Sequence, residues 1–404
     1  MRGHFPDSLR CPSRRILLRI LIDGRYINDG FPGIGRYTFN LIVALAELET
    51  GDVLVVLVNS RLRNRRYDLN RLAALPGCRV EDCRVDRFLP SELVRLGGVV
   101  HRLKPDIFHS PFYLRPYPLH VPCIQTIHDL IPMEVPEELG KIGRIVFLAG
   151  VSLACRSAAA VLTVSELSAG ALRRRFPAAA GRIHVTLPAP DPGFRPLPEE
   201  RIQEALRRVA LDGRRYVLHL SSGLPHKNVR LLLEAWARYV SRRPRDGRLL
   251  VLAGDYGRRH AEFAAVCGRL GLRGAVRFPG ELDDGTLTAL YNGADLCVFP
   301  AATEGFGLPV VEAMACGAPV ITTDPVAAAA SLGDSALLVP ANALAPLVDA
   351  LDNVLADEGL RKTLSARGLA RAASYSWKAT AQATHDVYRL VAGKRRLSCA
   401  SAST

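Results

Sequence analysis

Glu304 and Glu312 bracket two glycines and a proline in the run EGFGLPVVE, and every other residue between them is apolar. The run follows ADLCVFP (294 to 300), a continuous apolar stretch of strand length. Gly305 and Gly307 permit backbone turns that a side chain would obstruct. Pro309 suits the first turn of a following helix, where its missing amide proton is not needed. A helix begun in this way presents free backbone N–H groups, an anion site for a phosphate or diphosphate. Glu312 is expected in that first turn. A carboxylate beside a diphosphate would repel it, so its task is to accept two hydrogen bonds from a vicinal diol such as a ribose. Glu304, ahead of the turn, can do the same for hydroxyls on a second ring. The plainer alternative has Glu312 complementing the helix dipole and Glu304 exposed on a loop.

Other residues able to do chemistry sit at the ends of further apolar runs. His128 and Asp129 close CIQTIHD (123 to 129), where they either meet a ligand or form a satisfied histidine and a helix cap. The GIG of Gly33 to Gly35 is a Rossmann-like signal without a third glycine. No metal site is expected: the nine cysteines include no CxxC pair, and the closest two, Cys78 and Cys83, have no histidine partners at zinc-finger spacing. The thiols read as reduced and mostly buried in a cytosolic protein.

Rigid elements must position these residues, and short β-rich runs alternate with helical patterns throughout. The strand candidates of the first half are ILLRILID (16 to 23), VLVVLVNS (53 to 60), DIFHS (106 to 110), CIQTIHD, AVLTVSE (160 to 166) and IHVTLP (183 to 188). Helical spacing lies between them, as at Ile34, Tyr37, Leu41, Leu45 and Leu48. The second half repeats the arrangement with RYVLHLSS (215 to 222), RLLVLAGD (248 to 255), AVRFPG (275 to 280), ADLCVFP, APVITTD (318 to 324) and SALLVP (335 to 340). Continuous apolar strands separated by helices predict an α/β protein whose parallel sheets are covered on both faces.

The proline-rich LPAPDPGFRPLPEE (187 to 200) can be neither central strand nor helix interior, and is expected to link two doubly wound, Rossmann-like domains. A chain of 404 residues is also longer than one core usually supports. The expected layout is a tail over 1–13, a domain over 14–186, the linker, a second domain over 201–375, a helix over 376–393 packing back across the domains, and a tail over 394–404. Such domains face each other across a cleft and bind ligands at the carboxyl ends of their strands.

The formal charge is +14, shared about equally between the two halves, and only RLRNRR (61 to 66) and RRR (173 to 175) are dense. A nucleic-acid reader concentrates its charge in a tail or along one helix, so no nucleic-acid partner is expected and these runs read as solvated faces. Of the 53 cations 47 are arginine, which with abundant alanine fits a composition bias. An anionic substrate or membrane surface remains the functional reading of the charge. ILLRILIDG (16 to 24) is interrupted by Arg19 and leads into structured sequence, so it is not read as a signal peptide. IVFLAGVSLAC (145 to 155), flanked by Arg144 and Arg156, is far shorter than the roughly 20 residues a span requires. The expected location is cytoplasmic, with any membrane contact peripheral on the inner face.

The stretch PAATEGFGLPVVEAMACGAPVITTD (300 to 324) closely resembles the donor-binding segment of the retaining glycosyltransferases of family 4, which have the two-Rossmann-domain GT-B fold. The resemblance continues through DGRYINDGFPGIGRYTFNL (23 to 41), QTIHDLIP (125 to 132), VLTVSELSAGAL (161 to 172), SSGLPHKNVRLLLEAW (221 to 236), FPGELDDGTLTALYNGADLCVFP (278 to 300) and SYSWKATAQATHDVYR (374 to 389). The order and spacing of the pieces make it specific. It implies that Glu304 holds hydroxyls of the transferred sugar and Glu312 grips the nucleotide ribose. It also implies that Phe306, Gly307 and Leu308 supply backbone amides around sugar and diphosphate. Lys227, in LPHKN, matches the lysine that neutralises the diphosphate, a leaving group that gains negative charge in the transition state. The family often places an arginine near position 222, where this chain has Ser222, so phosphate binding leans on Lys227, and His226 compensates only if protonated. The same resemblance puts His128 beside the transferred sugar and makes Gly33 and Gly35 part of a loop approaching the donor from the acceptor domain. It turns Arg36 toward a phosphate or acceptor, Asp129 to the acceptor side, and the segments around Gly254 and Leu282 to the base.

The function so implied is metal-independent, retaining transfer of a hexose from a nucleotide-sugar to a glycan or polyprenyl-linked glycan acceptor in surface polysaccharide synthesis. The leaving diphosphate oxygen would help deprotonate the acceptor, so no enzyme nucleophile is needed, and no cofactor is expected beyond the nucleotide-sugar co-substrate. GIGRY together with LPHKN looks most like the mannosyltransferase branch, which favours GDP-mannose. Three rivals predict other outcomes: a nucleotide-sugar epimerase releases free nucleotide without a glycoside, and a catalytically silent sugar-nucleotide binder shows no turnover. A dinucleotide-dependent oxidoreductase predicts GxGxxG immediately after the first strand, whereas residues 24 to 32 intervene here before an incomplete GxG.

Overall fold

The computed structural model describes residues 17–85, 90–135, 137–257 and 259–401, so the predicted tail over 1–13 lies outside the described residues. Apolar runs such as VLVVLV and LLVLA bury nearly every side chain, because helices cover both faces of the sheets they enter. The first sheet contains β1 (Arg19–Asp23), β2 (Val53–Val58), β3 (Cys78–Asp82), β4 (Ile107–Ser110), β5 (Cys123–Thr126), β6 (Ala160–Thr163) and β7 (Ile183–Val185), in the order β3-β2-β1-β4-β5-β6-β7. The second contains β8 (Tyr216–Leu220), β9 (Leu249–Ala253), β10 (Val276–Gly280), β11 (Leu296–Phe299), β12 (Val320–Thr323) and β13 (Leu337–Val339), in the order β10-β9-β8-β11-β12-β13. All described pairings are parallel, so these are two Rossmann-like α/β units.

Every predicted strand is present, and β3 is additional. Its sequence CRVED is mostly polar and only Cys78 is buried, because it forms an edge, paired only with β2, so apolar periodicity does not mark it. In both sheets the strand order reverses beside the first strand, between β1 and β4 and between β8 and β11. Connections leave in opposite directions there and open a crevice outside the carboxyl ends. Lys227 follows β8, Glu304 follows β11, and the GIG segment follows β1.

Residues 187–200 join β7 to the second unit, although Glu199 already begins a helix, Glu199–Arg208. The last helix, Trp377–Ser401, continues past the predicted end at 393, so residues 394–401 are helical rather than a tail, while 402–404 lie outside the described residues. That helix returns to the first sheet. His385 Nε2 lies 2.8 Å from Asp52 Oδ2, and Tyr388 Oη lies 2.7 Å from His109 Nδ1. Burial pushes His109 down to about 3, so it enters this contact as a neutral ring. One buried apolar cluster runs from Ile20 and Leu54 in the first unit to Leu218 and Val251 in the second. The seven cysteines with described side chains are free and buried. No helix among the described residues is long and apolar enough to cross a membrane.

Candidate active site

Gly307 adopts φ 87°, a left-handed conformation, and caps the helix Leu308–Ala315, in which Pro309 is the second residue. No side chain caps this helix start; Pro309 has no N–H and the Val310 amide donates to the Gly307 carbonyl oxygen at 2.9 Å, which leaves the Leu308 amide to face an anion. Glu312 is the fifth helical residue rather than part of the first turn, so it does not serve the dipole as the plainer alternative required. It is 1 % exposed.

Glu312 is buried by Arg36, whose Nη1 lies 2.6 Å from its Oε1, while Arg36 Nη2 lies 2.6 Å from Asp284 Oδ1. The guanidinium also sits 4.9 Å over the Phe194 ring. Burial pushes Arg36 down, but the carboxylates of Glu312 and Asp284 outweigh it and hold the guanidinium above its usual pKa. Burial pushes the Glu312 carboxyl up, opposed by Arg36. Arg36 is therefore not turned to a phosphate or acceptor as expected; two carboxylates from the other unit, the buried Glu312 and the part-exposed Asp284, claim its charge. Gly33 and Gly35 are not in a loop either. Pro32 starts the helix Pro32–Glu47, and both glycines lie in its first turns. A Cβ at Gly35 would stand 3.0 Å from the Tyr26 carbonyl oxygen, whereas one at Gly33 would meet nothing within 4 Å.

Lys227 ends a short turn, Pro225–Lys227, and its ammonium contacts Glu304 Oε1, bringing two of the proposed catalytic groups together. His226 turns the other way, to Glu138 of the first unit. Thr303 Oγ1 donates to Glu134 Oε2 at 3.2 Å. Ser165 Oγ donates to the Gly305 carbonyl oxygen at 2.6 Å and Ser168 Oγ reaches the same oxygen at 3.4 Å, so the start of the helix Glu166–Arg175 clasps the glycine loop across the cleft, while Ser168 Oγ also donates to the His128 carbonyl oxygen at 3.1 Å within the first unit. A Cβ at Gly305 would lie 2.8 Å from the His128 carbonyl oxygen, which explains why that position is glycine.

His128 lies on the first unit beside the glycine loop, its carbonyl oxygen facing Gly305. Its Nε2 is 3.1 Å from the Pro111 carbonyl oxygen, which can only accept, so Nε2 carries the proton and Nδ1 remains an acceptor. The ring packs edge-on against Tyr37 at 4.9 Å. Burial pushes it down to about 4, so it is neutral at physiological pH. Asp129 Oδ1 accepts from the Ile131 amide at 3.0 Å from one position ahead of Leu130, the N-cap of the helix Ile131–Glu134, so it is not the cap residue, and its carboxyl also feels Glu304.

Burial pushes Asp129 up to about 6, with the Ile131 amide opposing and Glu304 adding. A folded pKa above the unfolded value of 3.8 means that protonation stabilises the fold. That stabilisation is fully present below pH 3.8 and is lost as pH rises through about 6. Asp129→Asn keeps the acceptor for Ile131 and removes the charge. It is expected to be the more stable protein by roughly 2 kcal/mol at pH 7.5, with the gap narrowing toward pH 4.5. Denaturant unfolding at the two pH values checks this, and a gap independent of pH counts against the assignment.

The remaining expected donor contacts are dispersed. Phe306 is buried against Tyr375, ring centroids 5.6 Å apart. Gly254, after β9, donates its amide to the Gly280 carbonyl oxygen at 2.9 Å, which brings it near the segment holding the half-buried Leu282. Ser222 is exposed on the loop after β8. The run RLRNRR is not simply a solvated face. Arg66 Nη2 lies 2.9 Å from Glu281 Oε1 and Nη1 lies 3.2 Å from Asp284 Oδ1, while Arg65 Nη2 lies 2.6 Å from Glu281 Oε2.

Sequence reasoning singled out none of Ser165, Glu134, Glu138, Arg65, Arg66, Glu281 and Asp284 as site residues. The complementary charges of RLRNRR and ELDD were the one available signal. The serine and glutamate contacts depend on how the units face each other.

Residues 202–371 match the family model "Glycosyl transferases group 1", and residues 32–193 match the model "Glycosyltransferase Family 4". The chain is 27% identical over 389 residues to O-antigen chain mannosyltransferase B of Escherichia coli, covering 93% of this chain and 100% of that protein. Among solved structures it is similar to sucrose-phosphate synthase from Thermosynechococcus elongatus, with TM-score 0.74, 22% identity and coverage of 93% and 99%. It is likewise similar to Anabaena Alr3699/HepE in complex with UDP and glucose, with TM-score 0.71, 20% identity and coverage of 92% and 99%. At those identities the two structural likenesses speak for the fold alone.

Proposed function

The chain belongs to glycosyltransferase family 4, and from that premise we propose that it moves a hexose, favoured as mannose from GDP-mannose, onto a glycan or lipid-linked glycan with retention and without a metal. The observation that carries this reading is the meeting of Lys227 and Glu304 beside the uncapped start of the Leu308–Ala315 helix, at the β8/β11 crevice. That arrangement offers a full positive charge and an oriented amide to a diphosphate, and a carboxylate to the hydroxyls of the sugar it carries. Mannose as the sugar is supported by the likeness to the Escherichia coli mannosyltransferase, which spans nearly the whole chain.

Within this reading Glu312 serves the ribose and Glu304 the reacting ring. Arg36 engages one oxygen of Glu312 and leaves the second to accept from the diol. His128, neutral and with Nδ1 free to accept, faces the sugar, and the leaving diphosphate oxygen takes the acceptor's proton on the face of departure. Glu312→Gln is therefore expected to weaken nucleotide binding about tenfold. Glu304→Gln should leave it within about twofold and chiefly slow transfer, because its contacts strengthen as charge develops on the ring. Calorimetry with GDP and UDP, followed by donor turnover, makes the comparison. Equal loss of nucleotide affinity in both variants would remove the division of roles, and tighter UDP than GDP binding would remove the preferred donor.

A further inference from the structure

Arg36 is the fifth residue of the helix Pro32–Glu47 in the first unit, and it is 6% exposed. Gly35 lets that turn pack closely on its own unit: a Cβ there would also stand 3.2 Å from the Tyr67 ring. The guanidinium is carried toward the second unit over Phe194 of the linker, which packs edge-on against Tyr291 with ring centroids 5.8 Å apart. Its two terminal nitrogens are divided between two helices. Nη1 reaches Glu312 on Leu308–Ala315, and Nη2 reaches Asp284 on Asp284–Gly293. A planar fork can span two carboxylates in this way, whereas a lysine ammonium is a single point of charge.

The two carboxylates are not equally supplied. Asp284 is also met by Arg66, whereas Glu312 forms an ion pair with Arg36 alone among the described residues. The other titratable groups against Glu312 are acids. Asp284 and Asp191 add negative charge, and Asp191 itself accepts from Asn40 Nδ2 at 2.9 Å. Burial keeps the Tyr291 hydroxyl and the Cys316 thiol, both within the field of Glu312, in their neutral forms. A buried carboxyl in such company protonates unless a cation faces it.

We propose that Arg36 is a positioning residue for nucleotide binding: from the other unit it fixes the Glu312 carboxylate, occupying Oε1 and leaving Oε2 to accept from the diol. Oε2 has no hydrogen-bond partner among the described residues. The proposal rests on the reading of Glu312 as the ribose acceptor, and it adds that this acceptor is complete only when the first unit supplies its counter-ion. A protonated carboxyl would turn one of its acceptor positions into a donor, which the hydroxyl protons of a diol cannot use.

The test is calorimetry with GDP and with UDP over a pH series, on the parent, Arg36→Met, Arg36→Lys, Glu312→Gln and the Arg36→Met, Glu312→Gln double variant. Arg36→Met is expected to weaken nucleotide binding about tenfold at neutral pH, the scale of a hydrogen bond to one charged group. The loss should be regained as pH rises, because removing an opposite charge moves the pH at which Glu312 protonates, and affinity falls, up by about 1–3 units. Comparison with the parent at each pH cancels the titration of the nucleotide's own phosphates. Arg36→Lys restores a cation and should return this acid limb to within about one unit of the parent. In the Glu312→Gln background, Arg36→Met should change affinity by less than about twofold, since a residue that acts through Glu312 then has nothing to act on.

Unfolding without nucleotide supplies a second readout. With Arg36 gone, the folded pKa of Glu312 stands further above its unfolded value of 4.5. The stabilisation from its protonation is fully present below that unfolded value and is lost as pH rises through the folded one. The stability deficit of Arg36→Met relative to the parent should therefore grow with pH, and Glu312→Gln should remove that growth. An acid limb shared by the parent and Arg36→Met, additive losses in the double variant, or a deficit independent of pH overturns the proposal. Failure of the parent to bind either nucleotide refutes the nucleotide-sugar reading instead, and the unfolding series then decides by itself whether Arg36 holds the Glu312 charge.

Discussion

Replacing Lys227 by alanine is expected to slow sugar transfer about a hundredfold, a loss of ~3 kcal/mol in transition-state stabilisation, in a protein that still folds. The ammonium contacts Glu304 at the pocket, and its side chain is 18% exposed, so its removal empties no core site. Ser222 puts no cation on the loop after β8, and His226 is turned to Glu138. The anion developing on the leaving diphosphate would then rest mainly on the backbone amide at the start of the Leu308–Ala315 helix. The unpaired Glu304 carboxylate nearby would oppose it. Many sugar transferases meet this charge with a metal held by an Asp-x-Asp pair, yet no two aspartates in the chain stand two apart. Transfer is accordingly expected to survive excess chelator. Steady-state rates for both proteins, with and without chelator, decide the matter, and thermal unfolding separates catalysis from folding. Near-normal turnover in the variant, or chelator inhibition reversed by magnesium, would show that another group stabilises the leaving diphosphate.

The largest expected effect on stability comes from Gly254→Ala. Gly254 has φ 120°, where side chains are rarely tolerated, and a Cβ would stand 2.1 Å from the Ser221 carbonyl oxygen. Both partners are backbone and neither can yield. Ser221 donates to the Ala253 carbonyl oxygen at 3.0 Å and Gly254 to that of Gly280 at 2.9 Å, locking together the ends of β8, β9 and β10. Backbone strain and forced separation of these ends should each remove about 1–3 kcal/mol. We expect ~4 kcal/mol in total and a fall in Tm on the order of 10 °C. Nucleotide binding should fall with it, since the displaced strand ends border the crevice. Gly33→Ala is the internal comparison: a Cβ there meets nothing, and alanine suits a helix better than glycine, so stability should hold or rise by up to ~1 kcal/mol. Scanning calorimetry of both variants is the check. A Gly254→Ala protein melting within about 2 °C of the parent would contradict the contact.

What the sequence determines by itself is the fold and the residues that can do chemistry. Continuous apolar runs such as VLVVLV and LLVLA are legible as buried parallel strands because a sheet covered on both faces demands apolar side chains at every position. The glycine turn after β11 is legible because a left-handed residue and a close backbone approach each exclude a Cβ. Edge strand β3 is not, because one covered side and one neighbour impose no such pattern. Nor could local sequence place Glu312 past the first helical turn, since that depends on where Gly307 ends the preceding loop. Tertiary structure alone decided the partners. Arg36 and Glu312 are separated by 276 positions, and Ser165 and Gly305 by 140, and only the facing of the two units brings them within hydrogen-bond reach. Charge makes such encounters consequential without announcing them. A buried guanidinium must find carboxylates somewhere, and a sequence states that Arg36 has a charge to satisfy but not that Glu312 and Asp284 will satisfy it.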